Sequence, residues 1–185
     1  MRNVIYAINL TIDGCCDHTK VSPNNELLHF HTNLIRDAGL IVYGRITYQL
    51  MIPYWPDIAK NTSRQTKADI EFAQTFDSIE KVVFSQSLTK VEDKNSRIVS
   101  TNPADEIIKL KQEKGKNILL GGIAFPSYLI ELGLVDEFIF IVQPIIAGEG
   151  RRLLDGINLQ EKLQLKLVDT TVLKSGDVVL HYLKK

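Results

Sequence analysis

Short apolar runs alternate with amphipathic stretches through about three-quarters of this chain, and only strand-like runs follow. That order is the strongest constraint on its fold, because alternating strands and helices build a mainly parallel sheet with helices packed on it. The first run, Asn3 to Thr11, carries Val4, Ile5, Ala7, Ile8 and Leu10 and suits a buried central strand, closed by the Asp13-Gly14 turn signal. Ser22-Pro23 reads as the N-cap and first position of a helix with the stripe Leu27, Leu28, Phe30, Leu34 and Ile35, stopped at Gly39. A strand over Leu40–Tyr43 then runs into a short helix from Arg45 to Leu50, and Pro53-Tyr54-Trp55-Pro56 reads as an aromatic loop.

The later pattern continues the theme. A helix from Lys67 to Phe76 precedes strands at Lys81–Phe84 and Arg97–Val99, and Asn102-Pro103 opens a helix with the stripe Ile107, Ile108 and Leu110. A strand at Asn117–Leu120 meets Gly121-Gly122, with a helix beyond it from Pro126 to Leu132. Glu137–Val142 reads as a strand, and Leu163–Leu173 with Asp177–Leu183 forms a hairpin around Ser175-Gly176. The expectation is one α/β domain over residues 1–185, with antiparallel strands completing one edge of a parallel sheet.

Composition removes several function classes. Lys plus Arg and Asp plus Glu are 22 each, so no global field recruits nucleic acid or an acidic membrane, and anion recognition has to be local. No apolar run approaches the roughly 18–20 residues that span a bilayer, and Met1-Arg2-Asn3 leads into a run too short for a secretory signal, which points to the cytoplasm. Cys15 and Cys16 are adjacent, with no other cysteine to pair and no zinc-type spacing, and so read as reduced thiols.

Three strand ends carry groups suited to phosphate or ribose. Gly44-Arg45-Ile46-Thr47 joins a tight turn, a helix N-terminus and a guanidinium fork. Ser85-Gln86-Ser87 offers hydroxyls and an amide, and Gly121-Gly122 lets backbone approach a pyrophosphate. Taken singly, Gly-Gly is also an ordinary turn, and Gly44-Arg45 also fits a helix cap with a surface ion pair. The glycines do not form G-x-G-x-x-G, and no Gly-Lys-Ser/Thr is present, which disfavours a Rossmann domain or kinase-type loop.

These segments, with Thr11-Ile12-Asp13-Gly14, Leu134-Val135-Asp136-Glu137 and Pro144-Ile145-Ile146-Ala147-Gly148-Glu149-Gly150, resemble the dihydrofolate-reductase-like superfamily. The similarity is greatest to its branch containing the reductase domain of the bacterial riboflavin-biosynthesis deaminase-reductase, and it runs nearly the whole chain in order. The resemblance implies a three-layer α/β/α sandwich that binds NADPH and reduces a small heterocycle of pterin or pyrimidine type, such as 5-amino-6-(5-phosphoribosylamino)uracil. It implies that Gly44, Arg45, Ile46 and Thr47 hold the adenosine-side phosphates, with Arg45 favouring NADPH over NADH. Ser85 and Gln86 would flank the 2′-phosphate or adenine, and Gly121, Gly122, Ile123, Ala124 and Phe125 would wrap the pyrophosphate. Ala7 and Ile8 would lie by the nicotinamide, Asn9, Thr11 and Asp13 toward the substrate, and Ile146, Gly148 and Gly150 in the loop beside the cofactor. Two departures stand out: Leu120 occupies a position before the Gly-Gly where the riboflavin-pathway enzymes commonly carry an acid, and no Leu-Pro-Trp-type segment precedes the first helix.

Hydride delivery needs a matching proton. Glu26, four residues before Phe30 on one helical face, is the candidate donor, or else a carboxylate complementing the helix dipole. His29 and His31 line the cleft or face solvent, and Phe30, Tyr54 and Trp55 cover a flat ring or serve packing or a dimer contact. A homodimer is expected under each reading. The rival function classes are a nucleotide-binding regulatory module without turnover and a structural dimer using Phe138, Phe140 and Val142.

Overall fold

The computed structural model describes residues 1–157 and 159–185. The chain runs through β1 (Val4–Thr11), α1 (Asn25–Asp37), β2 (Ala38–Gly44), α2 (Arg45–Met51), α3 (Trp55–Lys60), α4 (Lys67–Ser78), β3 (Glu80–Phe84) and β4 (Ser96–Val99). It continues through α5 (Pro103–Gln112), β5 (Asn117–Leu120), α6 (Ala124–Glu131), β6 (Glu137–Gln143), β7 (Leu165–Val172) and β8 (Val178–Lys184). The strands form one sheet in the order β4-β3-β2-β5-β1-β6-β8-β7. β4 through β6 are parallel, and β8 and β7 complete the edge antiparallel, as the strand order of the sequence requires.

Period-two alternation sorts the core into two faces. Val4, Tyr6, Val42, Val82, Phe84, Ile118 and Leu120 pack with Ile107 and Leu110 of α5 and Leu129 and Ile130 of α6. Ile41, Tyr43, Val83 and Leu119 turn the other way, against Leu28 and Ile35 of α1, Tyr48 of α2 and Phe72 and Phe76 of α4. Ile5 and Ala7 share this second face with Leu27, Phe30 and Leu34. The result is three layers, helices on either side of a sheet.

Several boundaries differ from expectation for reasons found in distant parts of the chain. The N-cap of α1 is Asn24, whose side chain accepts from Leu27 N at 2.9 Å, not Ser22. Ser22 is instead held by both ends of the buried Gln143 carboxamide, its N–H donating to Oε1 and its carbonyl accepting from Nε2. Gly39 does not stop the helix but lies inside β2, where an added Cβ would stand 2.8 Å from Arg2 Nη2 and 3.1 Å from the Lys116 carbonyl. Pro53–Pro56 is only partly loop: Trp55 begins α3, with Pro56 in the first turn where no N–H is needed. α6 starts at Ala124, one residue after its cap Ile123, rather than at Pro126.

Candidate active site

The sheet opens at its centre. β5 pairs with β1 only over Val4–Tyr6 and with β2 as far as Val42, while β1 runs on to Thr11 against β6 alone. In a parallel strand each residue points both backbone groups to one side, and neighbours alternate. Asn3 C=O accepts from Ile118 N beside β5, and Val4 C=O accepts from Asp136 N beside β6. The Ala7 N–H closes the last β1–β5 pair at Leu120, and the Ala7 C=O with the N–H and C=O of Asn9 are directed across the gap beyond the end of β5, where no strand among the described residues meets them.

The Gly121-Gly122 turn forms the end wall of this gap. Gly121 N donates to Val42 O at 3.1 Å, and a Cβ on Gly121 would lie 2.1 Å from the Tyr43 ring. Gly122 has φ +90°, and a Cβ there would stand 2.2 Å from Thr47 Oγ1, so both positions require glycine if the turn is to lie this close to β2 and α2. The buried Tyr6 hydroxyl donates to Gly122 O at 3.0 Å, and burial raises its pKa, which keeps it a donor. Sequence reasoning missed Tyr6 because its period-two position marks it only as core. Phe125 stacks on Phe84 with centroids 4.6 Å apart, fixing the start of α6 against β3.

The three glycine- or serine-bearing strand ends thus lie on adjacent strands, β3, β2 and β5. Arg45 is exposed at the start of α2, held on the near side by Gln49 Oε1 at 2.8 Å, and Ile46 beside it is 70% exposed. Ser85 Oγ accepts from Ser87 N and Leu88 N, which shapes the loop after β3, and Gln86 is exposed there.

Other expected residues have different work. Thr11 is buried, with Oγ1 donating to Asp13 Oδ1 at 2.6 Å and accepting from Cys15 N. Asp13 accepts further from Ala147 N and Gly148 N, at 3.0 and 2.9 Å, and faces Arg152. These bonds, the Thr11 hydroxyl foremost, hold its carboxyl well below the usual carboxylate range. Thr11, Asp13 and the Gly148 amide therefore form a latch between the loops after β1 and β6. The Ile12 N to Ile145 O and Cys16 N to Arg151 O bonds reinforce it. Cys15 and Cys16 are free and buried within this junction, and desolvation lifts the Cys16 thiol to about 11, so it is not a nucleophile at neutral pH.

Glu26 Oε2 accepts from Ser175 N at 2.7 Å, tying α1 to the β7–β8 turn. That contact ties the carboxyl expected as the proton donor to the rim of the sheet. Trp55 is partly buried and packs on Phe72 with centroids 4.4 Å apart, against the core beneath α3. Phe30 packs with Ala7, Leu27 and Leu34, on the α1 side of the gap. The two histidines separate: His29 meets Glu71 at 3.3 Å on the outer face, whereas His31 Nε2 lies 3.0 Å from Asn9 Oδ1. Burial lowers the His31 pKa to about 4.

An interrupted parallel sheet with glycine turns at its carboxyl ends, completed by an antiparallel edge, defines the dihydrofolate-reductase-like fold. The solved dihydrofolate reductase of Enterococcus faecalis, in complex with NADP(H) and RAB-propyl, superposes with TM-score 0.62 at 13% identity over 99% of this chain and 96% of that one. Acinetobacter baumannii RibD superposes with TM-score 0.70 at 15% identity over all of this chain, which spans 58% of the RibD chain. Within that class the chain belongs to the RibD C-terminal domain family, whose model matches residues 2–179. It is also 34% identical to the uncharacterized protein YyaP of Bacillus subtilis (strain 168), over 98% of this chain and 94% of that protein. Among the described residues no helix is long and apolar enough to cross a membrane.

Proposed function

We propose that this domain is an NADPH-dependent reductase of a small unsaturated heterocycle. The open edge of β1 supports this reading most directly, because the Ala7 carbonyl and the N–H and carbonyl of Asn9 present acceptors and a donor to whatever fills the gap beyond β5. A nicotinamide carboxamide, which offers both partner types, matches such an edge. The glycine turn and the Thr47 side of α2 fit a pyrophosphate approaching backbone, and Arg45 fits a terminal phosphate on the ribose.

In this reading the chain contributes alignment. Bound NADPH supplies the hydride. Ala7 and Asn9 orient the ring by main-chain hydrogen bonds, Tyr6 stiffens the Gly121-Gly122 turn, and Phe30 and Ala7 keep the α1 side apolar. With Glu26 committed to Ser175, the balancing proton comes from water entering over the α1 end of the gap.

Fluorescence titration with NADPH and NADH tests the proposal. Wild type should bind NADPH more tightly, and Arg45→Ala should weaken NADPH by about 10–100-fold, the value of a charge-assisted phosphate contact, while changing NADH little. No binding of either nucleotide would remove the reductase reading.

A further inference from the structure

Of the cations around the latch, Lys20 and Arg152 are committed. Lys20 Nζ meets Glu149 Oε1 at 2.7 Å, and Arg152 Nη2 lies 3.7 Å from Asp13 Oδ2. Arg151 is exposed, and its guanidinium has no ion-pair partner among the described residues. Its backbone is nevertheless fixed, because the Arg151 carbonyl accepts from Cys16 N at 2.8 Å and from Cys16 Sγ at 3.3 Å. Leu153 and Leu154, directly after it, pack on the core face that carries Tyr6, Leu120 and Leu129. That face ends at the glycine turn, where the Tyr6 hydroxyl donates to Gly122 O. The positive charge of Arg151 reaches both the Tyr6 hydroxyl and the Cys16 thiol and works against the burial that raises them. A free guanidinium on an anchored backbone thus stands at the Gly121-Gly122 turn.

By itself the turn is a neutral cradle. Its N–H groups and the neighbouring Thr47 hydroxyl offer hydrogen bonds but no charge to a pyrophosphate. Arg45, the other free fork at this rim, leans back onto Gln49 at the start of α2. A doubly charged group leaving water for such a turn needs a cation, and a planar fork meets paired phosphate oxygens well.

We propose that Arg151 is a further cofactor-binding residue, reaching from the loop after β6 to the pyrophosphate of a bound dinucleotide. The proposal rests on the reductase reading and deepens it. Arg45 discriminates between the two nicotinamide dinucleotides, whereas Arg151 grips the part they share. The contacts of Asp13 and Cys16 that join the two loops then also hold this cation at the turn.

The test measures NADPH and NADH affinity by fluorescence for wild type, Arg151→Ala and Arg151→Gln. Both substitutions leave the main-chain carbonyl in place for Cys16, so the variants should unfold at the wild-type midpoint. Each should raise Kd for NADPH and NADH alike, by about tenfold. In ³¹P spectra of bound NADP⁺ the pyrophosphate resonances should move in Arg151→Gln while the 2′-phosphate resonance holds, and Arg45→Ala should give the reverse. Failure of wild type to bind either nucleotide would sink the reductase reading itself. Nucleotide binding that both Arg151 variants leave unchanged, or a loss confined to NADPH, would overturn the assignment of Arg151 while leaving that reading in place.

Discussion

Acidification should unload His31 in a measurable way. Its pKa lies near 4, against 6.5 for a solvated imidazole, because burial penalises the charged ring. Below 6.5 the unfolded chain takes up a proton that the folded protein refuses until about 4. The unfolded state therefore binds more protons in that window, and stability falls as pH falls through it. The contribution is fully present above pH 6.5 and exhausted below about 4. At 1.36 kcal/mol per pH unit the displacement amounts to about 3 kcal/mol as a ceiling, with about 2 kcal/mol gone by pH 5. Water at the ring's partly exposed edge trims these figures. Urea unfolding from pH 7.5 to 4, compared between wild type and His31→Gln, isolates the effect because glutamine does not titrate. The His31 Cε1 proton resonance should give a midpoint near 4. A midpoint near 6.5, or parallel stability curves for the two proteins, would refute the buried neutral imidazole.

Three further outcomes follow from the site. Gly122→Ala combines a positive φ with a Cβ aimed at Thr47, so it should cost about 2–4 kcal/mol in thermal or urea unfolding and abolish NADPH binding. Retained affinity would show that the turn does not bear on the cofactor. Glu26→Gln keeps an acceptor for Ser175 N and should leave turnover within about twofold once a substrate is in hand, whereas a tenfold loss would reinstate Glu26 as the proton source. Asp13→Asn removes one acceptor from the latch, and hydrogen exchange at Ala147 and Gly148 should quicken by about tenfold. The stability that Asp13 lends is present above the ordinary carboxylate range and lost as pH falls below it, the opposite group type to His31 but the same direction with pH.

The layered architecture was readable because it is written in local periodicity. The apolar runs and helical stripes marked the strands and helices, and the run of late strands without helices marked the antiparallel edge. The misread positions depend on partners far along the chain. Ser22 lost its capping role to a carboxamide 121 residues away, and Gly39 accommodates Arg2 rather than ending a helix. The site divides in the same manner. Glycines at 121 and 122 were legible as glycines because no other residue fits. Thr11, Asp13 and Glu26 were polar residues near a rim whose hydrogen bonds only the folded chain could assign. His31 stood open between two orientations until the contact with Asn9 chose one.

The early end of β5 has one more effect. Neighbouring strands stand about 4.8 Å apart, so β1 and β2 are separated by about 10 Å where the strand between them has stopped. A flat ring lying there in the plane of the sheet takes the place of the absent strand and completes its ladder. Recognition of that kind is read by main chain, so under the proposed reductase reading side-chain replacements on the α1 layer would retune which substrate is reduced without disturbing how the coenzyme sits.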